Sequence, residues 1–278
     1  MGAHRSGSGQ RHPFLTRLHR SALVGEAELN ALGSLFTVPR PVATGTDLSD
    51  GRDRAARLHV LLSGWACRYK TLADGGRQIT ALLLPGDVCN LDRLYIDDAD
   101  YTVGMLSDCM VASLDCSAVR GLAARHPGVA WGLGWLGAVE NAALTEHTAC
   151  LGRRSARERL AHLLCELFQR LEVTGFTREN GYALPLTQTE LSDVLGLTPV
   201  HVNRVLQGLR GEGLITLRGG RLTVLDWPLL CAVAEFNPNY LRLGKMDGPD
   251  AVRDPPSEAP APIARSGAKR FSAHGIVQ

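Results

Sequence analysis

Between residues 35 and 117 the apolar side chains come in short runs broken by turn residues. The runs are 58–62, 66–72, 78–84, 101–106 and 110–114, with Ser63-Gly64, Asp74-Gly75-Gly76 and Pro85-Gly86-Asp87 among the breaks. Short, partly alternating segments at this spacing predict a sandwich or barrel of strands. After His126-Pro127 the period changes. Val129, Leu136, Ala143 and Cys150 recur every seven residues, with Leu133, Glu140 and His147 on the adjoining line. That spacing predicts a long helix with one face forming a coiled-coil seam, and a seam requires a partner helix. The expected seam residues are Val129, Leu133, Leu136, Ala143, His147 and Cys150. A second amphipathic helix, 156–171, puts Leu160, Leu163, Leu164, Leu167 and Leu171 on one face and should pack behind the unit that follows.

That unit spans 186–210 and holds two helix-start signals eleven residues apart. Thr187-Gln188-Thr189-Glu190 has the form of a capping box, in which the threonine hydroxyl accepts from a free backbone N–H and the glutamate reaches back to the cap. Leu191, Val194 and Leu195 supply an apolar face, and Gly196 permits a left-handed turn. Thr198-Pro199 then offers a second cap with proline at the first helical position. Val202, Val205, Leu206 and Leu209 should turn inward. Two short helices joined by a glycine-containing turn predict a helix-turn-helix, whose second helix lies in the DNA major groove. An ordinary helical hairpin shares the pattern.

The next residues bear on that alternative. Gly211-Glu212-Gly213 stops the helix, 214–217 alternates as a strand, Arg218-Gly219-Gly220-Arg221 is a tight-turn sequence, and 222–225 returns. This predicts a β-hairpin wing. Its tip carries Arg218 and Arg221 where a phosphate would lie, although exposed arginines on a hairpin can equally be solvated.

Composition adds a modest asymmetry. The chain has 278 residues, 45% hydrophobic and 21% charged, with a net charge of +2, which suits a globular protein of two domains. Residues 151–225 hold ten arginines against seven acids, whereas 25–150 hold ten basic against fifteen acidic residues. The sign changes where the DNA-reading unit begins, as phosphate contact would require. The amino terminus lacks a signal-peptide core and the apolar stretch 129–151 contains Glu140, Asn141, Glu146 and His147, so we expect a cytoplasmic protein with no membrane partner. Seven cysteines are scattered without a CxxC pair. In a reducing compartment they read mostly as small buried hydrophobes, and no metal site is expected. The hydrolase motifs Gly-x-Ser-x-Gly and His-Glu-x-x-His and a phosphate-binding glycine loop are missing from the sequence, which disfavours an enzyme.

The order of these parts resembles the Crp/Fnr family of bacterial transcription regulators over residues 20–242. The most specific pieces are Arg159-Leu160-Ala161, Leu186-Thr187-Gln188-Thr189-Glu190-Leu191 and 196–204, Gly-Leu-Thr-Pro-Val-His-Val-Asn-Arg. The resemblance implies an α+β chain: an amino-terminal β-roll (double-stranded β-helix), a long dimerisation helix and a carboxy-terminal winged helix-turn-helix. The expected boundaries are a disordered 1–13, a sensor domain over 14–126 resembling a cyclic-nucleotide-binding domain, the helix over 127–153, the DNA-binding domain over 154–242 and a disordered tail over 243–278. It further implies a homodimer that reads palindromic promoter sites in double-stranded DNA, with RNA polymerase as a partner. By position, Arg204 matches the family's guanine-reading arginine, a fork that can bond O6 and N7 together. Asn203 can reach a base or a phosphate. Pro199, Val200 and His201 stand where the family commonly has polar residues, so the half-site should differ from that of the best-known members; Val200 can meet a thymine methyl and His201 a base or the backbone. The helix should fill the groove as far as Gln207. Thr187, Gln188 and Thr198 are phosphate candidates at helix starts, although both threonines can simply cap, and Arg218 is the wing candidate.

The same resemblance sharpens what the sensor lacks. Family members that bind cyclic AMP carry an Arg-Ser or Arg-Thr pair after the Pro-Gly-Asp-like turn, whereas here 88–102 contain no such pair, and Asp97, Asp98 and Asp100 would repel a cyclic phosphate. Cys67, Cys89, Cys109 and Cys116 match no iron–sulfur spacing. Haem would need an axial ligand such as His59, His126 or His147, and a lone histidine is more often surface or satisfied core. Cys150 and Cys165 flank the hinge between helices, where oxidation could alter dimer geometry, but no basic, exposed surroundings mark either thiol. Cyclic AMP, an iron–sulfur cluster and haem are therefore each disfavoured and the effector stays unassigned. The alternative is an effector-independent DNA-binding regulator controlled by its own abundance.

Overall fold

A computed structural model describes residues 12–48, 56–97 and 100–244. The sequence-predicted disordered ends fall largely on 1–11 and 245–278, which lie outside the described residues. Two short helices lead, α1 (Pro13–Arg20) and α2 (Glu26–Gly33), followed by strands β1 (Arg40–Val42), β2 (Arg57–Ser63), β3 (Ala66–Thr71), β4 (Arg77–Leu83), β5 (Thr102–Met105) and β6 (Cys109–Asp115). The strands form two antiparallel three-stranded sheets, ordered β1-β6-β2 and β4-β3-β5.

Alternation along these strands sorts their side chains into different interiors, since successive residues of a strand point to opposite faces. Ala66 and Leu83 join Val42, Leu61, Cys89, Met105 and Val111 between the sheets, while their neighbours Cys67 and Leu82 pack on the other side. The outer face of the first sheet, through Leu58, Val60 and Leu114, is covered by α1 and α2, by α3 (Cys116–Arg125) and by the first half of α4 (Pro127–Arg153).

The outer face of the second sheet meets the carboxy-terminal half. That half comprises α5 (Ala156–Val173), β7 (Gly181–Ala183), α6 (Gln188–Leu195), α7 (Pro199–Gly211), β8 (Ile215–Arg218), β9 (Arg221–Val224) and α8 (Trp227–Ala234). Leu160, Leu164, Leu167 and Leu171 of α5 are all buried, as their spacing predicts, and share one apolar interior with Trp65, Ile79 and Leu82. Polar bonds reinforce this junction: Arg77 pairs with Asp193 at 2.8 Å, and the Gln78 amide donates to the Asp193 carbonyl at 2.7 Å. A buried carboxylate, Asp87 in the Pro85-Gly86-Asp87 turn, ties three parts together by pairing with Arg17 of α1 and, at 2.6 Å, with Arg170 of α5. Burial alone would raise the Asp87 pKa, but Arg170 and Arg17 outweigh it and hold the carboxyl below the usual carboxylate range. No helix among the described residues is long and apolar enough to cross a membrane.

Candidate nucleic-acid interface

Helix α6 begins as its sequence predicts. The Thr187 hydroxyl accepts from the Glu190 N–H at 3.1 Å, and the Glu190 carboxylate accepts from the Thr187 N–H at 2.7 Å. Such a cap contributes about 0.5–2 kcal/mol. Gly196 ends the helix at φ +62, a left-handed conformation that a side chain resists. Thr198 then caps α7, accepting from the His201 N–H at 3.3 Å, with Pro199 at the first turn. Both threonines therefore serve as caps, while Gln188 and Thr189 stay exposed at the start of α6.

Helix α7 separates its faces cleanly. Val202, Leu206 and Leu209 are buried against α5 and α6, whereas Pro199, Val200, Arg204 and Gln207 are exposed and His201 and Asn203 half-buried. Residues 200, 203, 204 and 207 follow the i, i+3, i+4, i+7 rule and so share one outward face. Val200 is 80% exposed. Arg204 has no ion pair or side-chain hydrogen bond among the described residues, and the Gln207 amide donates to Asn203 Oδ1 at 3.5 Å. Val205, expected inward, is only partly buried at the edge of the core.

The wing forms with the predicted turn. β8 and β9 pair from Ile215↔Val224 to Arg218↔Arg221, and both turn residues, Gly219 at φ +56 and Gly220 at φ +73, take the positive φ of a two-residue hairpin. The two tip arginines part company. Arg218 is exposed, but Arg221 donates to the Arg178 carbonyl of its own chain and does not reach outward. The sequence gives no warning of β7, which adds to β9 and makes the wing three-stranded. Nor does it single out Arg210, which with Gln207, Ile215, Thr216 and Arg218 lines a 520 Å³ groove between α7 and the wing.

Arg159, of the Arg159-Leu160-Ala161 segment, has a structural task. Its Nε donates to the Arg154 carbonyl at 2.8 Å and its Nη1 to the Leu195 carbonyl at 3.0 Å. One side chain thus clamps the carboxy terminus of α6 to the end of α4, satisfying carbonyls that helix ends leave free.

Helix α4 corrects the expected seam. Val129, Leu133 and Leu136 are buried beneath the chain's own helices and first sheet, and Cys150 is buried at the far end. Ala143 and His147 are half-buried and face a cavity. Seven-residue spacing identifies an apolar face but not what covers it, and here the β-domain covers it. The outward residues are instead Trp131, Gly134, Ala138, Asn141, Thr145 and Thr148, also at alternating three- and four-residue spacing. Trp131 is 70% exposed, and Leu144, further along the helix, is 49% exposed.

Inside, α4, the second sheet and α5 enclose a cavity of 480 Å³. Its charged lining is largely self-paired. Arg68 bonds Glu140 of α4 at 2.9 Å and the Cys89 and Val88 carbonyls at 2.8 Å, and Lys70 pairs with Asp100 at 2.6 Å. Asp97 is exposed and Asp98 lies outside the described residues. The four cysteines considered for a cluster divide among separate interiors: Cys67 faces the carboxy-terminal half, Cys89 and Cys109 lie between the sheets, and Cys116 lies under the helices. Burial pushes the Cys67 and Cys89 thiols up to about 12. His59 Nδ1 bonds Ser113 Oγ at 2.9 Å, and His126 sits between α3 and α4.

Comparison with known proteins agrees with this geometry. Residues 158–233 match the Crp-like helix-turn-helix domain and residues 39–126 the cyclic nucleotide-binding domain. The chain is 26% identical over 211 residues to the fumarate and nitrate reduction regulatory protein of Vibrio cholerae, covering 76% of this chain and 84% of that one. It is 28% identical over 187 residues to the nitrogen fixation regulation protein FixK of Azorhizobium caulinodans, covering 67% and 75%. Among solved structures, FixK2 from Bradyrhizobium japonicum superposes with a TM-score of 0.63 at 26% identity, over 70% of this chain and 96% of that one.

Proposed function

The chain belongs to the Crp/Fnr family of DNA-binding transcription regulators, and from that premise we propose that it acts as a homodimer reading a palindromic promoter site through α7. The observation that carries this reading is the outward face of α7, where Arg204 stands exposed and unpaired among Val200, His201, Asn203 and Gln207. An unpaired guanidinium on a rigid helix is available to bond guanine O6 and N7 together, and Val200 is available to a thymine methyl. Gln188 and Arg218 flank that face for phosphate contact, and Thr187, Thr198 and Pro199 begin the two helices whose starts would lie beside the phosphates.

In this reading 14–126 form the sensor, 127–153 the dimerisation helix and 154–242 the DNA-binding domain, which works on RNA polymerase at the promoter. The dimer seam runs along Trp131, Gly134, Ala138, Asn141, Thr145 and Thr148, where small side chains let two helices approach closely. The self-paired charges Arg68–Glu140 and Lys70–Asp100 leave no spare guanidinium for a cyclic phosphate, which supports a sensor that does not answer cyclic AMP. The 480 Å³ cavity favours control by some other small ligand over control by abundance alone.

Footprinting on promoter fragments tests the proposal. Two protected half-sites about 34–36 Å apart are expected, and Ala138→Glu, which sets like charges against each other across the seam, should yield monomers that lose the paired pattern. A single protected half-site with the unaltered protein, or paired protection by monomeric Ala138→Glu, would overturn it.

A further inference from the structure

Where α4 gives way to α5, three donors of different chemistry converge. Glu146 and Cys150 lie one turn apart on the same side of α4, and His162 projects from α5; their ligand atoms all lie within 4.8 Å of one another. His162 is 3% exposed, and its Nε2 is buried without a hydrogen bond. Its ion-pair contact is Glu146 Oε1 at 3.3 Å. The imidazole plane is set by aromatic neighbours, stacking on Tyr240 at 5.9 Å and 16° and meeting Phe236 edge-on at 5.2 Å. The nitrogen is thus aimed at the other two donors by packing, where a neutral imidazole can donate its lone pair to a metal.

A cation already stands in this cluster. Arg154 places Nη1 2.7 Å from Glu146 Oε1 and 2.5 Å from Cys150 Sγ. The side chain reaches in from the residue that ends α4, so it can withdraw toward solvent without unwinding the helix. It occupies the point ringed by the sulfur, nitrogen and oxygen donors.

We propose that Glu146, Cys150 and His162 form a binding site for a divalent transition-metal cation of the zinc class, which takes the place of the Arg154 guanidinium. The donor set selects the class: a thiolate and an imidazole suit zinc and disfavour magnesium and calcium, which take oxygen ligands. Three protein ligands leave one tetrahedral position for water or an exogenous group. On binding, the Cys150 S–H bond gives up its proton to solvent, the sulfur lone pair bonds the metal, and no electron is transferred. Departure of Arg154 removes a like charge that would otherwise oppose the ion. The three donors do not line the cavity between α4, the second sheet and α5, and the site does not depend on the assignment of α7 to DNA.

Cobalt(II) is the direct probe. Full-length protein stripped with a chelator is titrated with Co²⁺ alone, and one ion per chain is expected to give the visible bands of a tetrahedral complex and a thiolate-to-cobalt charge-transfer band, both bleached by Zn²⁺. Cys150→Ser should abolish the charge-transfer band. Arg154→Ala should tighten Co²⁺ binding by about tenfold, on the scale of changes made around a metal's ligands, a gain that misfolding cannot imitate. The proposal is overturned by a protein that binds no Co²⁺, by a charge-transfer band that survives in Cys150→Ser, or by an Arg154→Ala affinity that is unchanged or weaker.

Discussion

Particular arginines of the amino-terminal β-domain and of the winged carboxy-terminal half lie in opposite settings, although Arg40 and Arg125 of the first are exposed too. In the first, Arg17 and Arg68 are turned inward and bound to Asp87, Glu140 and backbone carbonyls. In the second, Arg204, Arg210 and Arg218 are turned outward and left exposed along α7 and the wing. An inward arginine with a carboxylate partner is a structural link, because removing the partner strands a charge away from water. An outward arginine with no partner does little for the fold and remains available to an anion. The line between the two is not strict: Arg159 and Arg170 belong to the second half but are turned inward, and Arg170 ties that half to Asp87 of the first.

The largest effect should follow from attacking the inward set at its most buried member. Asp87→Ala leaves Arg17 and Arg170 facing each other without their shared carboxylate and should cost about 3–5 kcal/mol of stability, read as a lowered urea midpoint. The same carboxylate gives the pH dependence its sign. Its folded pKa lies below the ordinary value of 3.8, so its contribution is complete above that value and is lost as pH falls through the lowered one. Unaltered protein should therefore lose stability in acid more steeply than Asp87→Ala. If the two proteins melt alike at neutral pH, the division between structural and available arginines fails at its strongest point.

A middling effect, and one confined to recognition, is expected at Arg204. Arg204→Ala should leave the melting curve within the small range of surface substitutions while lowering discrimination between operator and mismatched DNA by about 1–3 kcal/mol. A competition gel shift measures it. An unchanged specificity ratio would remove Arg204 from the base-reading role, and a large drop in stability would place it with the inward arginines.

How far the sequence discloses this division depends on how far apart the relevant residues lie. The two helices of the reading unit are legible because their signals are local: Thr187 and Glu190 cap each other across three residues, and Gly196 and Pro199 mark a stop and a start within the same stretch. The strands from 57 to 115 are legible for the same reason, through alternation and turn residues. The leading helices α1 and α2 are short, and their burial depends on distant strands and on α4. The face of α4 is half-legible, since its periodicity reveals an apolar stripe but not that Leu58, Val60 and Leu114 would cover it. Arg221 resembles Arg218 in the sequence and differs only because the Arg178 carbonyl, far along the chain, captures it. The meeting of His162 with Glu146 and Cys150 likewise depends on how α5 turns back on α4, which no spacing rule conveys.

The smallest expected effect lies at the wing and tests the comparison at its margin. Arg218 extends from the hairpin tip at the edge of the groove it shares with Gln207 and Arg210. If it meets a phosphate and not a base, Arg218→Ala should weaken binding to all sequences alike, because phosphate contacts carry no sequence information. One lost phosphate contact releases one counterion fewer, so the slope of log affinity against log salt should become shallower by about 1 for each wing engaged. Arg221→Ala serves as the internal control. Its guanidinium is already spent on the Arg178 carbonyl, so it should leave the slope unaltered. Equal slopes for Arg218→Ala and the unaltered protein would mean that exposure on the wing does not imply contact, and that the outward set extends no further than α7 and its immediate groove.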